Sequence, residues 1–167
     1  MSKSFCSTDS TNNQTDTWFT PKKFIDALGP FDFDPCTQSF RPFDTAKEHV
    51  CEDLGEDGLA VEWKGKVWMN CPYGKAVPIW LNRLYEHGNG IALVFARTET
   101  KWGQEALRKA DAVNFIKGRI SFIPNEEGKK STSAGAPNML LAYGEQNVRT
   151  LLNIPGLIFL CNKKNQK

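Results

Sequence analysis

From Gly90 to Ala96 the chain runs Gly-Ile-Ala-Leu-Val-Phe-Ala, an apolar stretch bounded by glycine and by polar residues. Such a run fits a strand covered on both faces, as in a parallel sheet, because a strand with one wet face would alternate. Upstream, Thr20-Pro21 followed by Lys22 to Leu28 predicts a capped helix, with Thr20 as N-cap, Pro21 in the first turn and Gly29-Pro30 as the stop. Phe31 to Asp34 reads as a short strand ending in Asp34-Pro35-Cys36-Thr37, and Lys66 to Asn70 as another. Ala76 to His87 places Ile79, Trp80, Leu84 and Tyr85 at helical spacing, and Thr98 to Ala110 predicts a further helix. Val113 to Ile116, Ile120 to Ile123, Met139 to Tyr143 and Leu157 to Cys161 read as strands, the later ones close enough for antiparallel pairing. Gln38 to Lys66 is of mixed polarity and predicts loop with some helix, while Asn125 to Pro137, rich in Gly, Ser, Lys and Glu, predicts a mobile loop.

Strands alternating with helices over the first two thirds imply an open α/β sheet with helices on both faces. A chain of 167 residues suits one domain with a sizeable core. Residues 1–17, polar and without an apolar stretch of signal-peptide type, are expected to form a flexible tail, residues 18–162 the folded domain, and residues 163–167 a basic tail. No apolar run approaches the roughly 20 residues that cross a membrane. The five cysteines are scattered without a C-x-x-C pair, and the two histidines have no ligand spacing. Those absences argue against a disulfide framework or a zinc site, and the expectation is a cytoplasmic, metal-free monomer. A formal net charge of +2 does not announce nucleic acid, so local clusters carry more weight. Lys117 with Arg119, and Lys129 with Lys130, could form a basic face; Lys163, Lys164 and Lys167 read more simply as solvated surface.

The chemistry concentrates in Asn70-Cys71-Pro72-Tyr73, which follows the apolar Val67-Trp68-Met69. The Asn70 side-chain oxygen and the Cys71 peptide carbonyl are two acceptors, enough for the two hydrogens of an exocyclic amino group. Tyr73 offers a flat face for a base, and Pro72 restricts Cys71 to extended conformations, which fixes where its carbonyl points. Taken alone, the tetrapeptide also fits a buried strand closing in a turn. In an open α/β sheet, ligands sit beyond the carboxyl ends of the strands. Asp34, Asn70 and Arg97-Thr98 stand at three successive predicted strand ends, which favours a site over a chance turn.

In order along the chain come Trp18-x-Thr20-Pro21, Phe33-Asp34-Pro35-Cys36, Asp53-Leu54 with Trp63, and Asn70-Cys71-Pro72-Tyr73-Gly74. Ala96-Arg97-Thr98-Glu99-Thr100-Lys101-Trp102, Phe115 to Phe122 and Pro137-Asn138-Met139-Leu140 follow. Together they resemble the phage-type DNA N6-adenine methyltransferases (the phage Dam family). The resemblance implies a single-domain, Rossmann-like α/β fold with a mostly parallel sheet and antiparallel C-terminal strands. It implies methyl transfer from S-adenosylmethionine to N6 of an adenine flipped out of double-stranded DNA, in a bacterial host cell and of phage or prophage origin. Asn70, Cys71, Pro72 and Tyr73 would be the catalytic group, Asp34, Pro35, Thr20 and Asp53 the cofactor contacts. Arg97, Lys101, Lys117 and Arg119 are candidates for phosphate contact, while Trp80 and Trp102 read as core. The chain departs from the family pattern in two places. Cys71 stands where a proline is usual, and Asp34-Pro35-Cys36 takes the place of the glycine-rich loop found in many S-adenosylmethionine enzymes. Three other readings stay open: cytosine-N4 methylation by the same logic, cytosine-C5 methylation through a cysteine nucleophile, and a catalytically inactive methyltransferase-like DNA-binding module.

Overall fold

The computed structural model describes residues 18–124 and 131–161. The predicted tails and residues 125–130 of the predicted loop lie outside the described residues. Among the described residues there are ten strands: β1 (Trp18–Phe19), β2 (Phe33–Thr37), β3 (Glu48–Cys51), β4 (Val67–Met69), β5 (Gly90–Phe95), β6 (Ala112–Ile116), β7 (Ser121–Pro124), β8 (Thr132–Ser133), β9 (Asn138–Tyr143) and β10 (Gly156–Leu160). The helices are α1 (Lys22–Leu28), α2 (Val77–His87), α3 (Lys101–Lys109) and α4 (Glu145–Thr150), with single 3₁₀ turns at Glu52–Leu54 and Leu151–Asn153.

Seven strands form one mixed sheet in the order β10-β6-β9-β5-β4-β2-β3. The pairs β3–β2, β2–β4 and β4–β5 are parallel, whereas β9 runs antiparallel to both β5 and β6, and β10 antiparallel to β6. The expected parallel core with antiparallel C-terminal strands is therefore present. Strands β1, β7 and β8 form a separate small antiparallel sheet, so Ile120 to Ile123 does not join the main one as its position in the chain suggested.

Period-two alternation sorts the strand residues between two cores. Met69, Ala92, Val94, Met139 and Leu141 pack with Val77, Trp80, Leu81 and Leu84 of α2 and Ala106 of α3. Trp68, Ile91, Leu93, Leu140 and Ala142 face the other way, against Phe24, Ile25 and Leu28 of α1 and against Ile120 and Phe122. Both faces of β5 and β9 are thus covered, which is why their sequences are uninterrupted apolar runs.

Several local expectations change. The buried stripe of α2 is Val77, Trp80, Leu81 and Leu84, while Ile79 and Tyr85 remain 59% and 40% exposed. Helix α3 begins at Lys101 rather than Thr98, because Thr100 caps it by accepting the Gly103 N–H at 3.0 Å. Thr20 does not cap α1, whose N-terminus carries no side-chain cap; its hydroxyl is used elsewhere, as described below. Strand β3 falls in the stretch expected to be loop with some helix, and helix α4 where no regular element was expected.

Candidate functional site

Strand β2 is flanked by β3 on one side and β4 on the other, so the chain's winding reverses between β2 and β4. Sheets of this kind open a crevice at such a point. Here β2 and β4 are in register only at Phe33 and Val67. Beyond that pair Asp34, Cys36 and Thr37 on one side and Asn70–Tyr73 on the other line a cavity of about 690 Å³. Its apolar wall is aromatic, made by Trp18, Phe19, Trp68, Phe95 and Phe122. Its polar groups include Thr20, Asp34, Thr37, Gln38, Thr45, Glu52 and Asn70, and Ser133, Ala134 and Gly135 lie along the rim.

Asn70 is half-buried, one residue past β4, on the side of the sheet that carries Trp68. Its Nδ2 donates to the Thr20 hydroxyl at 3.3 Å and to the Trp18 carbonyl at 3.5 Å, while its Oδ1 accepts from the Tyr73 hydroxyl at 3.5 Å. The Tyr73 ring is stacked on Phe95, centroids 4.2 Å apart and planes 19° apart, so Phe95 covers one of its faces. Tyr73 is nonetheless 42% exposed, which leaves the opposite face for another flat group.

Cys71 is buried, and burial pushes its thiol up to about 12. The Cys36 thiol is likewise held well above its ordinary value, chiefly by burial and further by the negative charge of Asp34. Neither sulfur is a thiolate near neutral pH, so neither is an activated nucleophile.

At the other side of the cavity, burial raises the Asp34 carboxyl to about 6, against hydrogen bonds from the Thr45 hydroxyl and the Cys36 N–H that favour its anion. Above that pH the group is a carboxylate inside a mostly apolar wall, fitted to a cationic partner. Pro35 is buried behind it, and its carbonyl packs so tightly on Gly58 that a Cβ there would sit 1.7 Å from the oxygen. Trp63 fixes that crossing by donating its indole N–H to the Gly58 carbonyl at 2.7 Å.

Asp34, Thr20, Asn70, Cys71, Pro72 and Tyr73 thus meet in one cavity, which Pro35 backs without lining it. Asp53 does not line the cavity either. Its carboxylate holds the Ser39 N–H at 2.8 Å and the Ser39 hydroxyl, and the neighbouring Glu52 lines the cavity instead. The four candidate phosphate contacts lie off the cavity wall. Arg97 is 3.7 Å from Glu99, Lys101 opens α3, and Lys117 and Arg119 are exposed in the turn between β6 and β7. Arg119 donates to the Ala134 carbonyl at 3.2 Å and so ties that turn to the rim. Sequence reasoning missed Phe95, Thr45, Glu52 and the rim at Ser133–Gly135. Phe95 ends the most apolar run in the chain and gave no sign of facing a cavity.

No helix among the described residues is long and apolar enough to cross a membrane, and no cluster of metal-ligating side chains occurs among them.

An aromatic-walled crevice at the carboxyl ends of parallel strands, with an amide on one side and a carboxylate on the other, defines an α/β protein with a site for a flat, polar-edged ligand. Comparison with known proteins narrows that class. The model of the DNA N-6-adenine-methyltransferase (Dam) family matches residues 7–163, and the chain belongs to that family of enzymes. It is 27% identical over 119 residues to the DNA N-6-adenine-methyltransferase of Haemophilus phage HP1 (strain HP1c1), covering 68% of this chain and 66% of that relative, just under two thirds of its length. No solved structure matches the chain at a significant level.

Proposed function

We propose that this protein methylates the exocyclic N6 of adenine in double-stranded DNA, using S-adenosylmethionine, within a Rossmann-like methyltransferase fold. The observation that carries the reading is the amide of Asn70, with Nδ2 engaged by Trp18 and Thr20 and Oδ1 turned toward Tyr73. The donor set fits the cofactor. A buried carboxylate at Asp34 suits a cationic amino-acid end, Glu52 suits ribose hydroxyls, and a volume of about 690 Å³ lies within the range of sites for such ligands. When bound, S-adenosylmethionine supplies a methyl on a sulfonium that leaves as a neutral thioether, so no protein nucleophile is needed.

What the chain contributes is orientation and charge. Adenine N6 is a poor nucleophile because its lone pair is spread into the ring. Asn70 Oδ1 and the Cys71 carbonyl accept its two hydrogens, draw the nitrogen toward tetrahedral geometry and stabilise the positive charge that builds there. The surplus N6 proton leaves to solvent. The base reaches these groups only when extruded from the duplex, and the free face of Tyr73 offsets part of the few kcal/mol that extrusion costs. The neutral, buried Cys71 thiol supports this reading over covalent attack on a cytosine ring.

Thermal unfolding with S-adenosylmethionine or its demethylated product tests the cofactor half. Saturating ligand should raise Tm by several degrees, since excess at about 100 Kd adds about 2.7 kcal/mol. No shift with either compound would contradict it.

A further inference from the structure

We infer that Thr20 is a positioning residue: with the Trp18 carbonyl it locks the Asn70 amide in the rotamer that presents oxygen, not nitrogen, to the substrate amine. The inference rests on the adenine-N6 reading and gives Thr20 a task other than contact with the cofactor.

A side-chain amide has two ends of opposite character, and rotating it by half a turn exchanges them. Only the oxygen end can accept from an N6 amino group; the NH₂ end would set donor against donor. Nothing in Asn70 itself chooses between them. The choice comes from its neighbours. A peptide carbonyl can only accept, so the end of Asn70 that lies 3.5 Å from the Trp18 oxygen must be the nitrogen. The Thr20 hydroxyl, 3.3 Å from the same Nδ2, supplies the second acceptor. Both amide hydrogens are then directed away from the substrate side, and Oδ1 is left facing the Tyr73 hydroxyl. These contacts are long, in keeping with catalytic hydrogen bonds that tighten only when substrate is held.

The two acceptors are themselves fixed. Trp18 and Phe19 pair with Pro124 and Ile123 of β7, so the Trp18 carbonyl is anchored by the small sheet. Thr20 is 3% exposed, its β-branched side chain has few rotamers, and the following Pro21 stiffens its backbone. The N-cap position of α1 is Pro21, which has no capping group, and the Thr20 hydroxyl one residue earlier accepts from Asn70.

The test is steady-state methylation by the full chain with T20V, T20S, N70A and the T20V/N70A double variant. T20V keeps the shape and removes the acceptor, so kcat should fall about tenfold, the worth of one hydrogen bond. KM for S-adenosylmethionine should stay within about twofold, and T20S should retain most of the wild-type rate, rates and constants being compared on the usual scale. On the N70A background, T20V should cost nothing further, because the amide it orients is gone. Should T20V fail to fold by circular dichroism, T20A carries the same expectations. A rise in KM for S-adenosylmethionine with kcat unchanged would make Thr20 a cofactor contact and overturn the inference. So would a T20S as impaired as T20V, or losses that multiply in the double variant. An active wild type with an indifferent T20V removes this inference alone, whereas a wild type that makes no N6-methyladenine removes the underlying reading and this with it.

Discussion

At Cys71 the side chain and the backbone have separable fates. The thiol is buried and neutral, while the carbonyl belongs to the segment that lines the cavity. Cys71→Ser and Cys71→Ala should therefore keep substantial methylation. Cys71→Pro should be tolerated as well, since Pro72 already holds residue 71 in the extended region a proline favours. Loss of activity in all three folded variants would restore a role for sulfur. Asn70→Ala should lower kcat by about 10² or more with little change in the Tm shift produced by S-adenosylmethionine, because the lost contact is strongest in the transition state. Asp34 makes a prediction in pH. Its folded pKa of about 6 lies above the ordinary 3.8, so the folded protein holds a proton that the unfolded chain has released between those values. Stability should fall as pH rises through that window and then level off. Asp34→Asn should remove the slope, gaining on the wild type by up to about 3 kcal/mol between pH 4 and pH 7.5 in denaturant unfolding. A constant difference between the two proteins across that range would contradict the burial argument. At this scale the sequence was legible where the chemistry is contiguous. Asn70 to Tyr73 is one stretch at one strand end, and Asp34 ends the neighbouring strand. What the sequence did not show is the partners that Thr20 and Asp53 take, Asn70 and Ser39, which are 50 and 14 residues away.

Elements were readable where burial is two-sided or strictly periodic. Helix α1 and strands β4 and β5 lie close to where their patterns put them. Strand β3 escaped because Glu48-His49-Val50-Cys51 is a sheet edge with only two buried residues, and edge strands owe their state to their neighbour rather than their own composition. Helix α4 has six residues and its buried member is the polar Asn147, so no apolar stripe announces it. The pairing of β1 with β7 depends on a contact across more than a hundred residues that no local pattern encodes. One element-level consequence concerns the packing behind β2. Gly58→Ala would drive a Cβ into the Pro35 carbonyl, which cannot yield without moving the Asp34 end of the cavity. The expected cost is about 1–3 kcal/mol or more. Thermal unfolding should show it as a lower Tm accompanied by weaker binding of S-adenosylmethionine. An unchanged Tm would mean that the loop is free to retreat.

Across the whole molecule, a formal charge of +2 would supply little attraction to DNA, so on the proposed reading binding rests on a local cationic surface. Lys101→Ala and Lys117→Ala should each weaken binding to unrelated duplexes alike and reduce the slope of log affinity against log salt by about 1. Unchanged slopes in fluorescence-anisotropy titrations would move the DNA face elsewhere. Arg119→Ala should lose more affinity than either lysine variant for a similar change in slope, because it also releases the Ala134 carbonyl at the cavity rim. The proposed reaction is decided by the identity of the methylated atom. Wild-type protein should be incubated with radiolabelled-methyl S-adenosylmethionine and double-stranded DNA, and the DNA digested to nucleosides and separated. Label should appear in N6-methyladenine, with an Asn70→Ala control reduced by about 10² or more. Label in N4-methylcytosine or 5-methylcytosine, or none in any nucleoside, would contradict it.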